Sequence, residues 1–187
     1  MIVAVTKDAG DQSGSEAWHD KLEQLPHVSA AERRQIIDDY LATVLRDVPP
    51  QLQARARRSL PDLPEHPAPA QVSAWLDAAG YFRGPVFRQL ARQVTPVLEA
   101  EASLLRESSE LLLAQGEVSI ARSAAVVRAT LRTPSRWRPG AIHTSAERAD
   151  GSVSARSVMP LPAQMEPASM LSEITLQLAI ALASLEE

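Results

Sequence analysis

Apolar residues recur along most of the chain with the 3.6-residue period of amphipathic helices. Ile36, Ile37, Tyr40, Leu41, Val44 and Leu45 form one such stripe. It opens at Ser29-Ala30-Ala31-Glu32, a capping box in which the Ser29 hydroxyl accepts the Glu32 amide proton and the Glu32 carboxylate reaches back. Val48-Pro49-Pro50 ends that helix, and a shorter one follows through Leu52, Ala56 and Leu60, with Arg55, Arg57 and Arg58 largely outward. Pro61, Pro64, Pro67 and Pro69 then make a stiff extended connector, because proline removes a backbone donor and forces its predecessor out of the helical region. Helix resumes at Pro69, with Val72, Trp75, Leu76 and Ala79 on one face and Gly80 as its stop. After the Gly84-Pro85 turn, Phe87, Leu90, Ala91 and Val94 repeat at helical spacing. Trp75 and Phe87 are therefore expected on facing helices of an αα-hairpin.

Pro96 is expected to kink or break the junction with the next helix, Val97–Ala114, and Gly116 separates that helix from another over Val118–Arg132. The second of these is read from Ile120, Ala121, Ala124, Val127 and Leu131. Periodicity fades over residues 133–167, which hold five further proline positions and Asp150-Gly151, so an irregular loop is expected there. Weak alternation in Ile142–Thr144 and Ser152–Val158 leaves room for one small β-hairpin. Ala168–Leu185 closes the chain as an amphipathic helix with Leu171, Ile174, Leu178, Ala181, Leu182 and Leu185 on its stripe. The expected fold is all-α: a compact bundle of five to seven helices in a single domain, residues 18–187. Residues 1–17 form a flexible N-terminal segment, and a short helix over Glu16–Leu25 carries Trp18.

Aromatic residues make up only 4% of the chain, so the core has to come from Ala, Leu, Val and Ile. There is no cysteine, which removes disulfides, cysteine metal sites and thiol nucleophiles together. No signal peptide is read at the start and no apolar run reaches membrane-spanning length, so a cytoplasmic protein without a membrane partner is expected. The net charge of −4 argues against general nucleic-acid binding. That charge is uneven. Arginines 122, 128, 132, 136, 138, 148 and 156 face only Glu147 and Asp150 within Val118–Arg156, whereas residues 157–187 carry acids alone. The basic segment reads either as a solvated surface or as one that meets an acidic ligand, an acidic partner or the chain's own acidic end.

Catalytic motifs are missing: there is no GxGxxG, P-loop, HExxH or GxSxG. Asp38-Asp39 runs into Tyr40-Leu41-Ala42 and does not complete the DDxxD magnesium pattern. His19, His27, His66 and His143 have no ligand spacing, so neither a metal nor a cofactor is expected. His143 is the histidine that stands near hydroxyl groups and arginines. With Asp38, Asp39, Asp77, Tyr40 and Tyr81 it makes the pool from which an acid or base would be drawn.

The stretch His27–Arg92 carries SAAERRQIIDDYLATVL, then RRSLPDLPEHP, then PAQVSAW and GPVFRQLARQ. It resembles the C-terminal effector region of actinobacterial MerR-family regulators, over about a third of the chain. That region is all-helical and is thought to sense small, often hydrophobic, molecules. The family's DNA-binding head has no counterpart before Ser29, so the resemblance implies a ligand cavity rather than DNA binding. The cavity is expected between the Ser29–Leu45 helix and the Pro69–Thr95 hairpin. Tyr40, Trp75, Asp77, Tyr81 and Phe87 would line it, and Arg136 or Arg138 would close over it to pair with an acidic group. The first functional expectation is a stand-alone protein that senses, carries or sequesters a hydrophobic metabolite or drug. The alternatives are a natural-product cyclase or isomerase using the same cavity, and a helical interaction module. A homodimer is open in each case.

Overall fold

A computed structural model describes Trp18 and residues 20–185. The expected flexible segment 1–17 and His19 lie outside the described residues. The described chain divides into two compact units. The first is built from the residues up to Asp47 together with Ala56–Gly84, the second from Val48–Arg55 together with Pro85 onward.

In the first unit, residues 20–23 are helical and α1 spans Ala30–Val44. Ser29 caps α1 as its sequence demands, the Ser29 Oγ accepting from the Glu32 amide at 3.2 Å. Helix α2, Pro50–Ser59, belongs to this unit from Ala56 onward. After the proline connector, α3 spans Pro69–Gly80 with proline in its first turn, and the Gln71 side chain accepts from the Ala68 amide at 2.8 Å. A single 3₁₀ turn, Tyr81–Arg83, follows. Leu25, Tyr40, Leu41, Leu45, Val72, Trp75, Ala79 and Phe82 are buried.

The second unit overturns the all-α expectation. It holds a four-stranded antiparallel meander in the order β1-β2-β3-β4: Glu117–Arg122, Ala125–Arg132, Gly140–Arg148 and Val153–Leu161. The expected helix over Val118–Arg132 is the β1–β2 hairpin, and much of the expected irregular loop 133–167 is β3 and β4. The fold therefore mixes helices with a sheet. Asp150-Gly151 forms a turn: Gly151 has φ 81°, and Asp150 Oδ1 accepts from the Ser152 amide at 2.8 Å. The hairpin around it is simply longer than its weak alternation suggested.

Helix α4 spans Pro85–Ala100 and runs through Pro96, so the junction expected to kink or break there is not broken, and Pro96 lies on the exposed side. The interruption comes at Glu101, before α5, Ala102–Gln115. Gly116, at φ 81°, ends α5 in the left-handed conformation that glycine tolerates and feeds the chain into β1. The last helix, α6, spans Pro167–Ala183 and packs against α4 and α5 as well as strands β2, β3 and β4. Contacts with both helices and sheet explain why its buried positions go beyond the single stripe read from sequence, taking in Leu176, Gln177 and Ala179. Ser109 and Thr175 hydroxyls lie 3.0 Å apart between α5 and α6.

One face of the sheet is buried through Ile120, Val127, Ile142, Thr144 and Ala146. The alternate residues Arg128, His143 and Arg156 are exposed. Within the same unit Glu173 of α6 is buried and pairs with Arg55, and the Gln177 side-chain amide lies against the same guanidinium, 2.9 Å from Nη2.

Candidate functional site

The first unit carries a groove of about 540 Å³ between α1 and the connector. Ile37 and Leu41 of α1, Leu60 and Leu63 of the connector and Trp75 of α3 supply its apolar lining, and Arg33, Arg34 and Arg57 its cations. Its size falls within the roughly 300–1,000 Å³ of ligand pockets. The groove has a wall because the connector cannot become helix: its prolines hold it extended alongside α1.

Arg33 fixes that wall. It is 5% exposed. Its Nε donates to the Leu25 carbonyl at 2.8 Å, Nη2 to Val28 at 3.0 Å, and Nη1 to Glu65 at 2.7 Å and Pro64 at 3.4 Å. One planar fork thus ties the turn before α1 and the connector after α2 to the same helix. Arg34 is exposed at the rim, and Arg57 meets Asp38 at 3.4 Å, a solvent-screened pair. Asp62 and Glu65 also line the groove, so its rim carries charges of both signs, with the exposed Arg34 guanidinium accessible to a ligand anion.

Of the residues expected at the site, the structure brings Tyr40 and Trp75 together. Their ring centroids are 6.1 Å apart with planes at 58°, and Trp18 meets Tyr40 edge-on at 5.6 Å. Both Tyr40 and Trp75 are 3% exposed, so the two rings pack chiefly as core, with Trp75 also reaching the groove. Tyr81 is 54% exposed with its ring edge-on to Phe82. Asp77 is exposed on α3, and Asp39 is exposed on α1, accepting from Gln35 at 2.8 Å. Phe87, Arg136, Arg138 and His143 belong to the second unit, Phe87 buried and the other three exposed. The Arg136 guanidinium lies 4.9 Å from the ring centre of the exposed Trp137.

The arginines were the residues that sequence reasoning missed. A signal was present for Arg33, which stands on the apolar stripe at i, i+4, i+7 and i+8 with Ile37, Tyr40 and Leu41. A charge inside an apolar stripe is either buried and satisfied or misplaced. Among the described residues no group of three or more His, Asp or Glu side chains is arranged to hold a metal ion, and no helix is long and apolar enough to cross a membrane. No family model, curated protein or solved structure matches the chain, so the kinship of residues 27–92 with MerR-type effector regions remains a proposal.

Proposed function

We propose that this is a small-molecule-binding protein, which senses, carries or sequesters a hydrophobic metabolite or drug bearing an acidic group. The observation that carries the reading is the α1–connector groove, with an apolar lining bordered by Arg34 and Arg57. An apolar ligand body would cover Ile37, Leu41, Leu60 and Trp75, while its anionic group would take the accessible guanidinium groups in charge-assisted hydrogen bonds. The resemblance of residues 27–92 to MerR-type effector regions supports the same class of ligand. The proposal places the protein in the cytoplasm and requires no cofactor, nucleic acid or membrane.

The test is fluorescence titration of the full chain with 1-anilinonaphthalene-8-sulfonate, an apolar body with one anionic group. Saturable binding is expected, with Arg34→Glu weakening it about tenfold or more. Equal affinity in Arg34→Glu and in Arg57→Glu would remove the groove from consideration.

A further inference from the structure

We infer that the second unit holds a separate site for a small carboxylate with a short apolar tail, centred on Arg148. The cavity measures about 270 Å³ and lies where α4, the β1–β2 turn, the end of β3 and the end of α6 meet. Its apolar floor is Val97, Leu182 and Leu185, the first two buried. Its polar groups are Arg122, Glu101, Ser123 and Arg148.

Charge selects the ligand class. Arg122 is already engaged, its Nη2 2.7 Å from Glu101 Oε1, which neutralises both groups. Of the other arginines in the basic segment, Arg128 pairs with Glu147, and Arg132, Arg136, Arg138 and Arg156 are exposed. Arg148 differs from them. It is half-buried and lines a cavity with an apolar floor, and among the described residues its guanidinium makes no hydrogen bond or ion pair, the Asp150 carboxylate two residues on attracting it only at longer range.

A half-buried guanidinium over an apolar floor favours a carboxylate, which it can bind through two parallel N–H···O bonds. An ammonium would face that charge unfavourably, and a neutral alcohol would gain only the floor. The volume limits the tail to a short alkyl chain or a single ring. This site is independent of the α1–connector groove, which lies in the other unit.

The experiment is a ¹H–¹⁵N NMR titration of the full chain with hexanoate, hexanol and hexylammonium. Hexanoate is expected to bind at least tenfold tighter than either of the others. It should shift amides in residues 122–125, around Arg148 and around Leu182. Arg148→Met should cost hexanoate tenfold or more and leave hexanol unchanged. Ala124→Trp, which fills the cavity from an exposed turn, should abolish binding of both without touching any charge. Arg57→Met, in the other unit, should change nothing. Equal binding of hexanoate and hexanol, unchanged affinity in Arg148→Met, or shifts confined to residues 30–41 and 60–65 would each overturn the assignment. The last result would leave the groove reading intact, whereas failure of the groove titration would not touch this one.

Discussion

Replacing Arg33 tests how the groove wall is held. Three of its hydrogen bonds are 3.0 Å or shorter, to the Leu25, Val28 and Glu65 carbonyls. A hydrogen bond to a charged group contributes about 1.5–3 kcal/mol, so the gross interaction is on the order of 4–9 kcal/mol. Burying the guanidinium costs several kcal/mol in return. Arg33→Met removes both terms, and the Val28 and Glu65 carbonyls, only partly buried, can recover water. The Leu25 carbonyl is in a buried setting and cannot readily do so. The expected net loss is about 2–4 kcal/mol. Arg33→Lys retains the cost of a buried charge, but its single nitrogen cannot span carbonyls on both sides of the helix. Lysine should therefore destabilise as much as methionine or more. The assay is urea unfolding followed by tryptophan fluorescence in a Trp137→Phe background. Of the chain's three tryptophans, Trp18 and Trp75 report on the first unit, whereas Trp137 is 81% exposed in the second. The Pro61–His66 connector should also become a site of proteolytic cleavage in both variants. If Arg33→Lys lies within about 0.5 kcal/mol of the parent, the fork does not hold the wall and the reasoning fails.

Other substitutions probe both units. Glu173→Leu should cost about 3–5 kcal/mol, because it leaves the Arg55 charge without its buried carboxylate; urea unfolding followed by circular dichroism measures it, and a neutral result would contradict it. Gly140→Ala should cost about 1–3 kcal/mol, since a Cβ there overlaps the Arg132 carbonyl oxygen and comes to 2.6 Å from Pro134 N. Gly80→Ala, where a Cβ meets nothing within 4 Å, should be neutral or stabilising by about 0.5–1 kcal/mol, and thermal melts compare the two glycines directly. The Ser152 hydroxyl and then its amide hold the Asp150 carboxyl below its ordinary value of 3.8. A depressed carboxylate pKa gives stability that is present above the unfolded value and lost as pH falls through the folded one, so this turn should loosen only in acid. Carboxyl-detected NMR titration should show the Asp150 midpoint rising in Ser152→Ala, and an unmoved midpoint would contradict the assigned cause.

The helices were legible because their signals are local. Ser29 caps α1, Pro69 opens α3, and Gly116 stops α5, each through chemistry confined to a few residues. The sheet was missed for a specific reason. Ile120, Ala121, Ala124, Val127 and Leu131 fit a helical period, yet Val118 and Ile120 face the same side of β1 while Val127 and Ala129 face it from β2. The turn between those strands is Ser123-Ala124, without the Gly or Asn that usually marks a two-residue hairpin. Alternation that reverses phase across an unmarked turn imitates a helix. Pro96 shows the converse: it is a helix breaker by local rule, but the burial of Val94 and Val97 on either side keeps α4 continuous. At the groove, Trp75 was found from aromatic clustering. Arg34 and Arg57 were not, because their position beside the connector follows from tertiary packing.

The measurement closest to the central claim is a ¹H–¹⁵N NMR titration of the full chain with 1-anilinonaphthalene-8-sulfonate, followed residue by residue. The account predicts saturable shifts in residues 30–41 and 60–65 and at the Trp75 indole, weakened in Arg34→Glu. Shifts confined to residues 117–161, or none that saturate, would contradict a ligand site in the α1–connector groove.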